Sequence, residues 1–190
     1  MNTRAFVATL ALVLGTAPLA ARPRTIDNSD LRYSVTIPGE CRTETGPGTL
    51  EAICAPDFDE ARSAEMPAAA ALLLEVDAEI VPVDAKPYGE ADFRQELSEA
   101  VCGESDAAKV KLDGVKVAKD GALASFTASV ACPEIRFLGL AERIADVRYV
   151  MAPGFRYRLM ARALRSDADK VKAAKDSFLA SFKPGQEKKP

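Results

Sequence analysis

Three arginines near the end of the chain have the spacing of a binding surface. Arg156, Arg158 and Arg162 occupy alternate positions of one segment, so they share a face if that segment is a strand. A guanidinium presents paired N–H donors that match a carboxylate or a phosphate. If the preceding strand pairs back through a turn at Pro153-Gly154, Arg143 lies on the same face. Such a face could dock an acidic protein or an anionic ligand.

Two less polar residues are predicted to lie on this arginine face. Met160 has the parity of the three arginines, and Tyr149 shares their face if the two strands pair through this turn, whereas Arg148 faces the other way. Aromatic and flexible apolar groups beside arginine are typical of the core of an interface. The predicted binding residues are therefore Arg143, Tyr149, Arg156, Arg158, Met160 and Arg162. The alternative is a solvated sheet face on which the arginine stems cover apolar surface.

The sequence contains no histidine, which excludes the commonest catalytic arrangements. Neither a Ser-His-Asp triad nor a Cys-His pair can be built, and the usual base at neutral pH is missing. The Ser-x-x-Lys and Gly-x-Ser-x-Gly motifs are absent as well. We therefore predict no catalytic residue and no cofactor. A hydrolase that uses two carboxylates is the remaining catalytic alternative.

Two groups of carboxylates could bind a cation or support acid–base chemistry. The first, at Asp57, Asp59 and Glu60, lacks the glycine and the spacing of an EF-hand calcium loop. We interpret it as a solvated acidic loop and predict no metal site. The second group projects from one face of a predicted strand and consists of Glu75, Asp77 and Glu79. An exposed strand face explains this spacing without a catalytic pair.

Residues 1–21 have the pattern of a secretory signal peptide. Arg4 precedes an apolar run from Ala5 to Leu14, and small residues follow near Ala20 and Ala21. The run is shorter than the roughly 20 residues that span a bilayer, and no second run of spanning length follows. We therefore expect export to the periplasm or the medium, with no transmembrane segment in the mature chain.

The four cysteines fit an oxidising compartment, where an even number favours disulfides over metal or redox use. Three pairings of Cys41, Cys54, Cys102 and Cys132 are possible. We favour Cys41–Cys54 with Cys102–Cys132, because the first two residues flank a hairpin-like loop. The formal net charge of −3 provides no basic surface for nucleic acid.

Alternating apolar residues predict a mainly antiparallel β-sheet, and two segments of helical periodicity predict helices packed on it. One helix is predicted at Glu90–Cys102. The other follows a capping box at Ser166–Asp169 and carries the apolar stripe from Val171 to Phe182. We place a polar lead-in at 22–29, a single α+β domain at 30–184 and a disordered tail at 185–190.

Short motifs in this layout resemble the PsbP/Mog1-like superfamily of small α-β-α sandwiches. They are Tyr33–Pro38 near the predicted mature N-terminus, Tyr157–Leu159 before the last helix and Ser177–Pro184 at its end. The resemblance implies that fold for the mature domain. One departure is Cys41, which stands where an aromatic residue is usual, and the chain has no tryptophan. The superfamily shares no catalytic residues, and its best-known partners, photosystem II and a small GTPase, do not transfer with the fold.

These observations predict an exported, non-catalytic binding or accessory protein of the bacterial cell envelope that binds another protein. The alternative is a periplasmic carrier of a small ligand or lipid, held between the sheet and a helix layer. A carboxylate-based hydrolase is the third hypothesis. No nucleic-acid partner is expected.

Overall fold

The computed structural model describes residues 22–39, 41–54, 72–82, 84–102, 110–120, 123–131 and 143–185, which contain ten strands and two α-helices. The strands are β1 (Arg24–Asn28), β2 (Tyr33–Ile37), β3 (Cys41–Gly46), β4 (Thr49–Cys54), β5 (Leu72–Ile80), β6 (Lys111–Asp120), β7 (Leu123–Ala131), β8 (Arg143–Ala152), β9 (Phe155–Leu164) and β10 (Lys183–Pro184). The helices are α1 (Glu90–Cys102) and α2 (Lys172–Ser181). The predicted signal peptide lies outside the described residues.

Seven strands form one sheet in the order β3-β4-β5-β9-β8-β7-β6, and β1, β2 and β10 form a smaller sheet in the order β1-β2-β10. Every strand pair in the described part of the chain is antiparallel. The β8–β9 turn uses Gly154 at φ 77°, the positive value that a type II turn needs at its third position. The predicted α+β class, a mainly antiparallel sheet with helices packed on it, is confirmed.

One face of the large sheet packs against α2 and the small sheet. Tyr157 and Leu159 of β9 are buried there, as their alternation predicts. The stripe of α2 meets them with Phe178 and, at the end of the helix, Phe182. Burying a phenylalanine side chain contributes about 2–3 kcal/mol, so this stripe holds the helix in place.

The opposite face packs against α1, toward the other edge of the sheet. Phe93 and Leu97 of α1 form a second core with Phe126 of β7 and Tyr149 of β8. Helix α2 contacts β2, β5 and β9, whereas α1 contacts β7. The two helices therefore pack on opposite faces of the large sheet.

Residues on both sides of the predicted domain 30–184 pair with it in the structure. The polar lead-in 22–29 contains β1, which pairs with β2 along its whole length. Only Ile26 of this strand packs on the core, so its sequence alternates too weakly to reveal a strand. At the other end, Gly185 is not part of a free tail. Its N–H donates to the carbonyl of Arg32 at 2.5 Å, directly after β10 pairs with β2.

The predicted capping box at Ser166–Asp169 is wrong. Residues Arg165–Asp167 form a 3₁₀ turn, and α2 begins only at Lys172. The residue that precedes the helix is Val171, whose side chain provides no capping hydrogen bond. The predicted capping segment therefore belongs to the connection from β9, and α2 starts several residues after it.

Cys41 and Cys54 form a disulfide, which confirms one predicted pair. They are register partners in the β3–β4 hairpin and 13 residues apart in sequence. Closing a loop of this size stabilises the fold by roughly 3 kcal/mol in the chain-entropy account. The predicted Cys102–Cys132 pair involves side chains outside the described part of the chain. Neither α1 nor α2 is long and apolar enough to cross a bilayer.

Candidate functional site

The predicted arginine face exists, and a neighbouring strand supplies carboxylates to its arginines. Across β5 and β9, Asp77 lies opposite Arg158 and Glu79 lies opposite Arg156. The Nε atom of Arg158 donates to Oδ2 of Asp77 at 2.8 Å, and Nε of Arg156 donates to Oε2 of Glu79 at 3.1 Å. We call this set the ion-pair ladder; its members are Glu75, Asp77, Glu79, Arg156, Arg158 and Arg162.

Glu75 and Arg162 form the most buried pair of the ladder. Nη2 of Arg162 lies 3.2 Å from Oε2 of Glu75, an oxygen that is buried and accepts no well-formed hydrogen bond. Burial raises the pKa of the Glu75 carboxyl, Arg162 opposes this, and Asp77 and Glu51 add to it. The negative charge of Glu75 is therefore held against an unfavourable environment.

Arg156 connects the ladder to α1. Its Nη1 atom donates to Oε2 of Glu96 at 3.1 Å, and its guanidinium lies 5.5 Å from the centre of the Tyr88 ring. The Tyr88 hydroxyl donates to the same Glu96 oxygen at 2.5 Å. Two carboxylates and one ring therefore engage this guanidinium within the chain, which leaves it poorly placed to bind a partner in a bidentate manner.

Tyr149 and Met160 share the face of the ladder as predicted, but each is only 1% exposed. Both belong to the core beneath α1, where Tyr149 contacts the ring of Phe93. Burial raises the pKa of Tyr149 to about 12, and its hydroxyl lies near Arg158 without hydrogen-bond geometry. These two residues are core side chains and do not form an exposed interface.

The remaining predicted site residues are only partly described. The backbone of Arg143 pairs with Leu164, which places Arg143 on the ladder's face by register. Its side chain and the acidic loop at residues 57–60 lie outside the described residues. The predicted carboxylate face of β5 supplies the three acidic residues of the ladder. Within the described ranges, no three histidine, cysteine, aspartate or glutamate side chains are placed to hold a metal ion.

A groove that the sequence analysis did not anticipate lies beside the β8–β9 turn. We call it the hairpin groove; it has a volume of about 960 Å³ and is partly open to solvent. Its apolar lining includes Ile80, Val81, Pro82, Met151, Pro153 and Phe155. Arg32 and Lys86 also line it, and no aspartate or glutamate of the described residues does. Lys86 forms an ion pair with Asp92 of α1, so Arg32 is the cation of the groove that has no carboxylate partner among the described residues.

Hydrogen bonds hold the backbone of Arg32 in place beside the hairpin groove. Its φ of 51° lies in the left-handed region, the only such value for a non-glycine residue in the described ranges. The Tyr157 hydroxyl donates to the carbonyls of Leu31 and Arg32 at 2.9 and 3.0 Å, and Asn28 Oδ1 accepts the Leu31 N–H at 2.9 Å. A strained backbone of this kind costs roughly 1–3 kcal/mol and persists only where its surroundings fix it.

The guanidinium of Arg32 has surroundings unlike those of the ladder. It lies 5.5 Å from the centre of the Phe155 ring, a cation–π contact. No carboxylate of the described residues lies within ion-pair distance of it. Sequence reasoning had no signal for Arg32, which reaches this ring from a distant turn.

A second charged group lies on the opposite face of the sheet, beneath α2. The Lys175 ammonium forms an ion pair with Asp146, whose other carboxylate oxygen accepts the Ser129 hydroxyl at 2.5 Å. The side chain of Lys175 is only 7% exposed. Because Asp146 accepts from both Lys175 and Ser129, this cluster fastens α2 to β7 and β8.

Comparison with solved structures identifies the fold. No protein-family model matches the chain, and no curated protein sequence matches it. The chain is similar in structure to the cyanobacterial PsbP protein (CyanoP) of Synechocystis sp. PCC 6803, with a TM-score of 0.60 and 13% identity over 90% of this chain and 96% of that one. The chain therefore has the PsbP-like fold, as the resemblance of its short motifs implied.

Two further solved structures share this architecture. One is a Pseudomonas aeruginosa protein of unknown function, with a TM-score of 0.53 and 10% identity over 87% of this chain and 99% of that one. The other is LpqN of Mycobacterium tuberculosis, described as involved in cell envelope biogenesis, with a TM-score of 0.50 and 11% identity over 86% of this chain and 91% of that one. At these identities the likeness establishes the fold alone.

Proposed function

We propose that this chain is a non-catalytic accessory protein of the bacterial cell envelope that binds a partner protein in the hairpin groove. The likeness to LpqN supports the envelope, and the Cys41–Cys54 disulfide supports an oxidising compartment. The absence of histidine supports a binding role over catalysis, because the usual proton-transfer group is missing. The ladder carboxylates, the best remaining candidates for catalysis, are engaged in ion pairs.

The apolar character of the hairpin groove is the observation that carries this proposal. Ile80 at its edge is 70% exposed, and Ile80 and Val117 are the only large apolar residues exposed in the described part of the chain. An exposed apolar side chain beside a concave apolar surface is typical of an interaction site. The ion-pair ladder is less suited to docking because its guanidiniums already have carboxylate partners.

A carrier of a small ligand or lipid is the second candidate, and the same groove is the observation that favours it. An apolar surface with positive charge also suits an anionic amphiphile. The spaces between the sheet and the two helices are occupied by core side chains. A ligand held between these layers would have to displace them, so ligand carriage would also use the hairpin groove.

Site-specific photo-crosslinking tests the docking proposal. A benzoylphenylalanine placed at Ile80 is expected to form one discrete adduct with an envelope protein in host cells. The same group at Val117, which is 45% exposed on β6, is the matched control and should form no adduct. The purified partner should then bind the wild-type chain, and Ile80→Glu should weaken this binding at least tenfold while Val117→Glu leaves it unchanged.

Three results would count against the proposal. They are the absence of any adduct from Ile80, equal adducts from Ile80 and Val117, and unchanged affinity of the identified partner for Ile80→Glu. An adduct composed of lipid would instead support the carrier.

A further inference from the structure

The charges in the hairpin groove indicate what kind of partner segment fits it. Arg32 and Lys86 are the charged residues that line it in the described part of the chain, and both are positive. We infer that Arg32 binds an acidic group of the docked segment, so that the groove selects an extended peptide in which an aspartate or glutamate is flanked by apolar residues. This inference rests on the proposed docking function.

The position of the Arg32 guanidinium suits such a contact. Its cation–π contact with Phe155 holds the cation beside apolar surface, and no carboxylate of the described residues neutralises it. Arginine hydrogen-bonds a carboxylate in a bidentate manner, and Arg32 is exposed to solvent, so its guanidinium is accessible to an acidic side chain of a partner. The flanking apolar side chains of the peptide would contact Ile80 and Met151.

The backbone of Arg32 gives a second, independent reason. Glycine adopts the left-handed region without steric cost, so a turn at φ 51° is built more easily with glycine than with arginine. The turn is nevertheless fixed by the Tyr157 hydroxyl and by the Gly185 N–H, both of which donate to the Arg32 carbonyl. Strain maintained by surrounding bonds at the edge of a groove is typical of a functional residue.

The shape of the groove favours a peptide over a free acyl chain. Sites for small apolar ligands bury about 70–90% of the ligand surface. The hairpin groove is partly open to solvent, so an acyl chain lying in it would leave one side in water. An extended peptide directs alternate side chains outward, so its outer side can be polar and remain hydrated.

Selection from a display library of random twelve-residue peptides tests this inference with the full chain as target. Binders that require the groove are defined as those that wild type binds and Ile80→Glu does not. We expect these peptides to be enriched in aspartate or glutamate next to apolar residues. Their affinity should fall at least tenfold for Arg32→Gly and recover in part for Arg32→Lys, which keeps the charge but not the planar fork.

Arg32→Gly is the informative variant because glycine suits the turn. Its thermal unfolding midpoint should equal or exceed that of wild type, so lost binding would report the guanidinium and not a damaged fold. Arg94→Gln is the matched control, since Arg94 is an exposed arginine of α1 that pairs with Glu90 and does not line the groove. It should leave peptide affinity unchanged.

The outcomes separate this inference from the proposed function. Groove-dependent peptides that lack acidic residues, or that bind Arg32→Gly as tightly as wild type, would overturn the inference and leave the docking proposal standing. A library that yields no Ile80-dependent peptide would count against the docking proposal itself. Oleate that binds in native mass spectrometry and is lost with Ile80→Glu, together with a library that yields no Ile80-dependent peptide, would overturn the peptide in favour of a lipid.

Discussion

The ion-pair ladder and the hairpin groove place arginine in opposite surroundings. In the ladder, Arg158 meets Asp77 directly across two neighbouring strands. In the groove, Arg32 lies over the ring of Phe155, and the described residues supply it with no carboxylate. The ladder holds three arginines and offers a partner little, whereas the groove offers a single arginine whose charge is available.

The difference arises from strand register and not from residue type. Arginines on alternate positions of β9 share a face whatever lies next to them. Whether that face is a cationic patch or a neutral one depends on β5, which aligns its carboxylates with the arginines from about eighty residues away in sequence. A count of arginines therefore overestimates the positive charge that a strand face offers to a partner when the paired strand carries acidic residues opposite them.

The largest expected effect follows from breaking the most buried pair. Asp146→Ala leaves the Lys175 ammonium, 7% exposed, without its carboxylate, and leaves Ser129 without an acceptor. We expect the free energy of unfolding to fall by about 3 kcal/mol, because an unpaired buried charge is strongly unfavourable. Urea denaturation at neutral pH would measure it.

The control for that prediction is an exposed pair on the same helix. Asp176→Ala removes the partner of Lys172, and the two side chains are 58% and 66% exposed. We expect a change below about 0.5 kcal/mol, as for other exposed helix pairs. Equal losses for Asp146→Ala and Asp176→Ala would show that burial does not set the importance of these charges.

The ladder itself should give an intermediate effect. Asp77 and Arg158 are 33% and 29% exposed, so water screens them in part. Asp77→Ala is expected to reduce the free energy of unfolding by about 1–2 kcal/mol, because it removes a hydrogen bond between charged groups. A double-mutant cycle with Arg158→Gln, measured by urea denaturation, isolates the pair, and a coupling near zero would contradict this account of the ladder.

Tyr157→Phe should have a smaller effect that is concentrated at the groove. It removes the hydroxyl that donates to the carbonyls of Leu31 and Arg32. We expect a loss of about 1 kcal/mol. Hydrogen exchange at the Gly185 N–H, which bonds to the same carbonyl of Arg32, should become faster. Tyr149→Phe is the control, because the Tyr149 hydroxyl makes no well-formed hydrogen bond, and this variant should not reduce stability. If Gly185 exchanges as slowly in Tyr157→Phe as in wild type, the prediction is wrong.

Local patterns in the sequence were sufficient for much of the fold. The bounds of α1 agree with the prediction, and β5 is the predicted strand that carries Glu75, Asp77 and Glu79, because each is a long, strongly periodic segment. Short or polar elements were not predicted. Strand β1 buries little besides Ile26, and β10 and Gly185 are positioned by hydrogen bonds to β2 and Arg32. Such elements exist through pairing with distant residues, which local periodicity does not contain.

The candidate site was predicted only in part, for the same reason. Parity correctly placed Tyr149 and Met160 on the arginine face, but the burial of these two residues depends on α1, which comes from an earlier part of the chain. Arg32 precedes β2 and lies beside Phe155 of β9 only in the folded molecule. The surroundings of both the ladder and the groove therefore depend on residues that are distant in sequence and meet only in the folded protein.

The smallest expected effect has the opposite sign and concerns Glu75. Burial raises the pKa of its carboxyl in the folded protein despite the Arg162 ion pair, with Asp77 and Glu51 acting in the same direction as burial. Folding therefore favours the protonated form. The stability that this proton contributes is complete below the unfolded pKa and is lost as the pH rises through the folded pKa. We expect Glu75→Gln to match wild type near pH 4 and to be the more stable protein at pH 7, as judged by urea midpoints across this range. If Glu75→Gln is less stable than wild type at pH 7, the attraction between Arg162 and Glu75 outweighs the cost of burial, and this ion pair stabilises the fold.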